Sequence, residues 1–211
     1  MALEAHVPEG FTVPPLPSDR AEFWAKFWNE QVTPWDLGRP HPHFQRTISQ
    51  WAAPGRALVP GCGRGHDAVF LARNGYEVVA VDFASTPRPD LAATLERTGG
   101  AFVRGDALAL GEEWGPFDLF LEHTFLGALP LARRKDWARL ARRMVRPGGF
   151  LAGIVFPSGK PSSAGGPPFG LEVGHFRDLL QPEFELIDTG RVSPPTPERP
   201  VGERYVLFRR R

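Results

Sequence analysis

The chain reads as an α/β fold, a mostly parallel seven-stranded sheet with helices on both faces. Three observations predict it. Short apolar strands alternate with helical segments from residue 44 onward. Runs such as VVAV (78–81), LFL (119–121) and FLAGIVF (150–156) stay apolar without alternation, as strands covered on both faces do. Two further strands near the C-terminus follow one another with no helix between them, which predicts an antiparallel hairpin at the sheet edge.

The elements follow in order. Residues 1–19 are proline-rich and lack periodicity, so they form an extended lead-in to a single domain over 20–211. Ser18 and Asp19 offer a helix cap before RAEFWAKFWNEQ, with Glu22 as capping-box partner. Phe23, Trp24, Phe27 and Trp28 then fall on one aromatic face. The prolines of TPWDLGRPHP (33–42) keep that stretch irregular. Helices are expected over 44–52, 66–74, 89–98 and 130–145, and strands over 56–60, 77–82, 101–104, 117–122 and 149–156. The Gly/Pro/Ser-rich run 157–170 is a loop; a helix (172–180) and strands at 184–192 and 204–210 end the chain. The VSPPTPERP stretch (192–200) reads as a rigid connector rather than a domain boundary.

Composition narrows the partners. A formal net charge of +1 gives no electrostatic argument for nucleic acid. No apolar run is long enough to cross a membrane and no secretory leader is recognisable, so a cytoplasmic protein is expected, with a monomer as default. The single cysteine, Cys62, excludes an internal disulfide and a cysteine metal cage. Inside a glycine turn it is either a small side chain packed beneath a ligand or a reactive thiol. His41 and His43 flank Pro42, but no further ligands accompany them and no metal is expected.

The chemistry concentrates at RALVPGCGRGHD (56–67) and EVVAVD (77–82). Strand, glycine turn, helix start, second strand and terminal acid build a nucleoside pocket at the carboxyl ends of parallel strands. Gly61, Gly63 and Gly65 permit a tight turn and close backbone approach. The following helix start presents free N–H groups to a phosphate or a carboxylate. Asp82, with Phe83 after it, is placed to accept both ribose hydroxyls, and Asp106 with the Ala107 N–H to meet an adenine edge. Taken singly, each acid reads equally as a helix cap or surface ion pair. The glycine order differs from the dinucleotide fingerprint, with His66 where its third glycine would stand, and points instead to S-adenosylmethionine. Pro147-Gly148-Gly149 adds a helix-to-strand turn common to class I methyltransferases.

WNEQVTPWDLGRP (28–40), LVPGCGRGHDAVFLARNGYEVVAVD (58–82), FDLFLEHTFLGALP (117–130) with its Trp-containing helix, and GGPPF (165–169) resemble the thiopurine methyltransferase superfamily, above all its bacterial members and the plant halide/thiol methyltransferases. The resemblance implies a class I methyltransferase Rossmann-like fold with an N-terminal helical cap over 20–43. It also implies that Trp24, Trp28 and Trp35 enclose S-adenosylmethionine, whose sulfonium aromatic faces attract. By spacing alone Trp24 and Trp28 read as core residues, whereas Trp35 sits in irregular backbone.

One departure stands out. Relatives carry Asp-Tyr-Thr-Phe where this chain has Glu122-His123-Thr124-Phe125. His123 is therefore expected against cofactor or substrate, as a stacking partner or a general base; a plain hydrogen bond to backbone is the competing role. Glu122 is expected to fix the substrate or the cofactor ammonium. Phe125, Phe156 and Phe169 are expected as apolar acceptor walls, with entry between the cap and the 157–170 loop and loop motion as the gate. The expected activity is methyl transfer to a small-molecule acceptor, a soft nucleophile such as a thiol. The alternatives are an oxygen or nitrogen acceptor with His123 as base, and a binding protein without turnover.

Overall fold

A computed structural model describes residues 7–51, 53–83, 88–199 and 202–211. Seven strands, β1 (Arg56–Pro60), β2 (Glu77–Asp82), β3 (Ala101–Arg104), β4 (Phe117–His123), β5 (Val145–Val155), β6 (Phe184–Arg191) and β7 (Arg204–Arg210), form one sheet in the order β3-β2-β1-β4-β5-β7-β6. The first five run parallel, and β7 is antiparallel to both β5 and β6. The order reverses between β1 and β4, so their carboxyl ends open the crevice in which such sheets bind ligands.

Side-chain alternation divides the core. Leu58, Phe120, Leu151 and Val155 face one layer with Trp137 and Phe176. Ala57, Val59, Leu119, Leu121 and Ile154 face the other with Phe44, Ile48, Val69 and Leu95. Helices α2 (Pro42–Trp51), α3 (His66–Arg73) and α4 (Leu91–Glu96) cover the second layer; α6 (Arg134–Met144) and α7 (Val173–Leu180) cover the first. A smaller aromatic cluster centres on Phe23 and Phe27 of α1 (Ala21–Asn29), against which Val7, Phe11 and Val13 of the lead-in pack.

Four local expectations are corrected. Helix α2 starts at Pro42, inside the stretch expected to be irregular, because proline suits a first helical turn. The helix expected over 130–145 opens with a 3-10 turn (Leu131–Arg133) before α6, and a separate short helix that was not expected, α5 (Phe125–Ala128), precedes it across the extended Leu129. Pro147-Gly148-Gly149 lies inside β5 at a register shift, not between helix and strand. Ser18 and Asp19 do not cap α1, whose N-cap is Arg20 without a side-chain bond. Instead Ser18 Oγ donates to the Ala128 carbonyl at 2.7 Å and Asp19 pairs with Arg133 at 2.7 Å, tying the lead-in to the β4–α6 connection.

Candidate active site

A cavity opens at the carboxyl ends of β1, β2 and β4, and residues from six stretches of chain line it. Its floor is the glycine turn after β1. Gly61 lies at φ +60°, and a Cβ there would come within 2.5 Å of the Phe125 ring, so the position excludes any side chain. Gly65 at φ +82° starts α3, and its added Cβ would meet Leu91 at 2.5 Å. Between them the Gly63 N–H donates to Asp82 Oδ2 at 2.7 Å, which orients that carboxylate at the tip of β2. At the tip of β3, Asp106 accepts from the Leu108 N–H at 2.9 Å and so holds the turn that carries Ala107. Asp82, Phe83, Asp106 and Ala107 all line the cavity.

Cys62 lines it too, and the half-buried thiol donates to the Gly63 carbonyl. Burial and the Asp82 charge push its pKa well above the ordinary thiol range, which suppresses the thiolate that nucleophilic or redox chemistry needs.

Trp24, Trp28 and Trp35 form the aromatic wall. Trp35 packs edge-on against both others, with centroids 5.1 Å from Trp24 and 5.7 Å from Trp28. Trp24 Nε1 donates to the Ser18 carbonyl at 2.6 Å. The Arg64 guanidinium lies over Trp28 at 5.3 Å while its Nε pairs with Asp36 at 2.7 Å. Burial alone would raise the Asp36 pKa, but His66, the Gly38 N–H and Arg64 outweigh it and hold the carboxylate ionised.

At the tip of β4, His123 faces the cavity. Thr124 adopts φ +70° directly after it, an unusual conformation for a β-branched residue, and turns the chain into α5. The imidazole is held at both nitrogens: Nδ1 lies 2.5 Å from Asp67 Oδ2, and Nε2 lies 2.9 Å from Arg199 Nη2. Burial lowers the His123 pKa, Arg199 and His41 add to this, and Asp67 opposes without prevailing. A base role would require Arg199 to release Nε2. Asp67 also accepts the His41 backbone N–H at 2.7 Å; despite its burial, His123 and that N–H keep it ionised.

Behind His123 lies an ionic cluster. Glu203 accepts hydrogen bonds from Thr196 and Arg199 and faces His41 Nε2 at 3.3 Å. His41, Arg199 and Glu203 are 0%, 7% and 7% exposed, so their charges and polar atoms must be matched within the cluster.

Two expected residues are not brought to the cavity. Glu122 is fully buried on the other side of β4, where it accepts from the Leu126 N–H at 2.9 Å and from Trp137 Nε1 at 2.8 Å. Burial raises its pKa to about 7 although both donors oppose this. It holds the start of α5 and does not face a ligand. Phe169 is likewise not among the lining residues; its N–H donates to the Gly127 carbonyl, and Pro167 and Pro168 line the cavity instead, together with Phe125 and Phe156. The 157–170 loop also carries a 3-10 turn at Ser162–Ala164. It is fastened at Lys160 Nζ to the Pro168 carbonyl and at the Gly159 N–H to Glu172.

Sequence reasoning missed Asp67, Arg199 and Glu203. Asp67 carried a readable signal, being the second residue of the helix that follows the glycine turn. Arg199 and Glu203 carried none, since the connection between β6 and β7 has no periodicity.

Acids at two strand tips, a turn too tight for side chains and three indoles opposite it fit a nucleoside joined to a cationic sulfur centre. Comparison with known proteins agrees. The family model for thiopurine S-methyltransferase matches residues 19–200. Thiocyanate methyltransferase 1 of Arabidopsis thaliana is 33% identical over 193 residues, 82% of this chain and 81% of that protein. A probable thiol methyltransferase 2 from the same plant is 35% identical over 173 residues, 78% and 74% of the two chains. Among solved structures, the 1,6-didemethyltoxoflavin-N1-methyltransferase of Burkholderia thailandensis superposes with a TM-score of 0.73 over 97% of this chain and 94% of that one. At 22% identity this shows the class I methyltransferase fold alone. The chain therefore belongs to the thiopurine S-methyltransferase family and is an S-adenosylmethionine-dependent methyltransferase.

Proposed function

We propose that the protein transfers a methyl group to a small-molecule soft nucleophile, a thiol or an inorganic thiolate-like anion. The observation that carries this is the wall beside His123. Phe125, Phe156, Pro167 and Pro168 are apolar, and the one imidazole facing the cavity there has both nitrogens engaged. A thiolate needs desolvation and alignment but no base, and such a wall supplies both. Relatives named for thiocyanate and thiol methylation support the same reading.

In this reading Asp82 receives the ribose hydroxyls, and Asp106 with the Ala107 N–H receives adenine. The glycine turn and the N-terminus of α3 receive the methionine carboxylate, with Trp24, Trp28 and Trp35 over the sulfonium. Bound there, S-adenosylmethionine supplies the activated methyl group. The acceptor enters between the 33–42 segment and the 157–170 loop. No helix among the described residues is long and apolar enough to cross a membrane.

The test is a panel of thiols set against phenols and amines of matched size, with S-adenosylhomocysteine formation as readout. Turnover of thiols at least about tenfold above the others is expected, the margin of one well-placed interaction. Equal turnover, or preference for an amine, overturns the acceptor class. Cofactor binding without turnover of any acceptor would mark a sensor instead.

A further inference from the structure

Arg199 reaches the site from the connection between β6 and β7, and its guanidinium is engaged at both terminal nitrogens and over one face. Nη1 donates to Glu203, and Nη2 donates to His123 Nε2 at 2.9 Å and lies 3.4 Å from the Trp35 carbonyl. The guanidinium carbon sits 4.6 Å from the centre of the Phe156 ring, itself part of the cavity wall. Because a guanidinium only donates, His123 Nε2 must accept. The ring proton then sits on Nδ1, directed at Asp67 2.5 Å away.

The surroundings enforce that assignment. Asp67 approaches from α3, Arg199 from the 192–203 connection, and His41 from the segment before α2, with its ring centroid 4.9 Å from that of His123. His41 Nδ1 accepts the His43 N–H, so a proton on its Nε2 is directed toward Glu203. A second proton on His123 would set Nε2–H against Nη2–H.

We propose that Arg199 is a positioning residue that holds His123 as the neutral Nδ1–H tautomer with its lone pair occupied, so that His123 shapes the acceptor wall and takes no proton from the acceptor. The proposal rests on the soft-nucleophile reading above and adds the residue that enforces it. In the transfer, the acceptor's lone pair forms the bond to the methyl carbon while the carbon–sulfur bond breaks and its electron pair goes to sulfur. A thiol acceptor has already lost its proton to water.

Two measurements test this. The first needs no turnover: nitrogen NMR of the imidazoles in the full-length wild-type protein, followed across the range in which a free imidazole titrates. The expected result is a His123 signal with the proton on Nδ1 that does not titrate there. In Arg199→Met, with Asp67 left as its charged partner, the His123 titration moves upward into that range, and Arg199→Lys restores part of the wild-type behaviour. A wild-type proton on Nε2, or identical titration in wild type and both variants, overturns the proposal. Should Arg199→Met not fold, the wild-type tautomer and Arg199→Lys still decide it.

The second measurement is the pH–rate profile with two thiols of different acidity. In the wild type the rising limb is expected to move with the thiol's own pKa. A limb fixed at one pH for both thiols would identify His123 as a base and overturn the proposal. If no thiol is methylated, the acceptor class fails, while the NMR result still decides the role of Arg199.

Discussion

The two long walls of the cavity are made in opposite ways. The wall at β1, β2 and β3 is built mainly from local turns: Gly61, Asp82 and Asp106 lie at or just past the ends of three neighbouring strands, and backbone N–H groups of nearby turns donate to both acids. The wall at β4 is assembled from afar. His123 is held by Asp67 and Arg199, Arg199 by Glu203, and Glu203 faces His41, across sequence separations of 56, 76, 4 and 162 residues. The first wall follows from parallel-sheet topology and leaves its acids at the ligand edge. The second buries charge, so it must be complete to be stable. Damage to the first should therefore be read in binding, and damage to the second in folding.

The largest effect is expected from Glu203→Gln. It leaves the buried Arg199 cation without a counter-charge, a defect that costs about 3–5 kcal/mol in buried pairs. Equilibrium denaturation measures it. Burial pushes the Glu203 pKa up, but His41, Arg199 and Thr196 outweigh this and bring it down to about 2. A carboxylate lowered on folding stabilises above its unfolded pKa, and this contribution fades as pH falls from about 4.5 toward 2. His43, buried against Tyr205 and lowered to about 4 chiefly by burial, acts in a neighbouring window. Its neutral form is favoured on folding, so stability is lost as pH falls from about 6.5 through 4. The wild type should lose stability through both windows, and Glu203→Gln should flatten only the lower one. Wild-type stability constant between pH 6 and 3 would break the contrast between the walls, because the far wall would then carry no linked protons.

That contrast also explains what could be read in the sequence. Asp82 and Asp106 were legible because strand period, glycine turn and terminal acid are local signals. All seven strands were legible for the same reason. Arg199 and Glu203 were not, because they act through contacts with residues 41 and 123, and nothing within 192–203 encodes those partners. Glu122 illustrates a subtler failure. It adjoins His123, but neighbours on a strand point to opposite faces, and the face it takes leads to Trp137 and to α5, a four-residue helix without periodicity of its own. Ser18 and Asp19 have the residue types of a local cap, but both reach across to the β4–α6 connection.

Next in size is Asp82→Ala, which tests the near wall. It removes the proposed ribose acceptors and the partner of the Gly63 N–H. Hydrogen bonds to a charged group are worth about 1.5–3 kcal/mol, so S-adenosylhomocysteine should bind about 10- to 150-fold more weakly by calorimetry. The loss of stability should stay well below that of Glu203→Gln. Asp82→Asn separates the two roles, since its amide oxygen can still accept from Gly63 while its NH2 accepts nothing. Unfolding comparable to Glu203→Gln would show that both walls are structural and erase the distinction.

The smallest effect belongs where the walls meet. Trp28 is a poor choice for testing the aromatic wall, because Arg64 lies over its ring and would be released with it. Trp35 is cleaner: its contacts with Trp24 and Trp28 are edge-on, and the bond to Arg199 uses its backbone carbonyl, which any substitution retains. Trp35→Leu keeps apolar bulk and removes the π face. A cation over such a face gains about 0.5–2 kcal/mol, so S-adenosylmethionine should weaken about 2- to 30-fold more than the neutral S-adenosylhomocysteine. The ratio of the two dissociation constants is the quantity to measure, since cap loosening shared by both ligands cancels from it. An unchanged ratio would mean that the indole only packs the cap, and the sulfonium would then owe its place to the acids of the near wall.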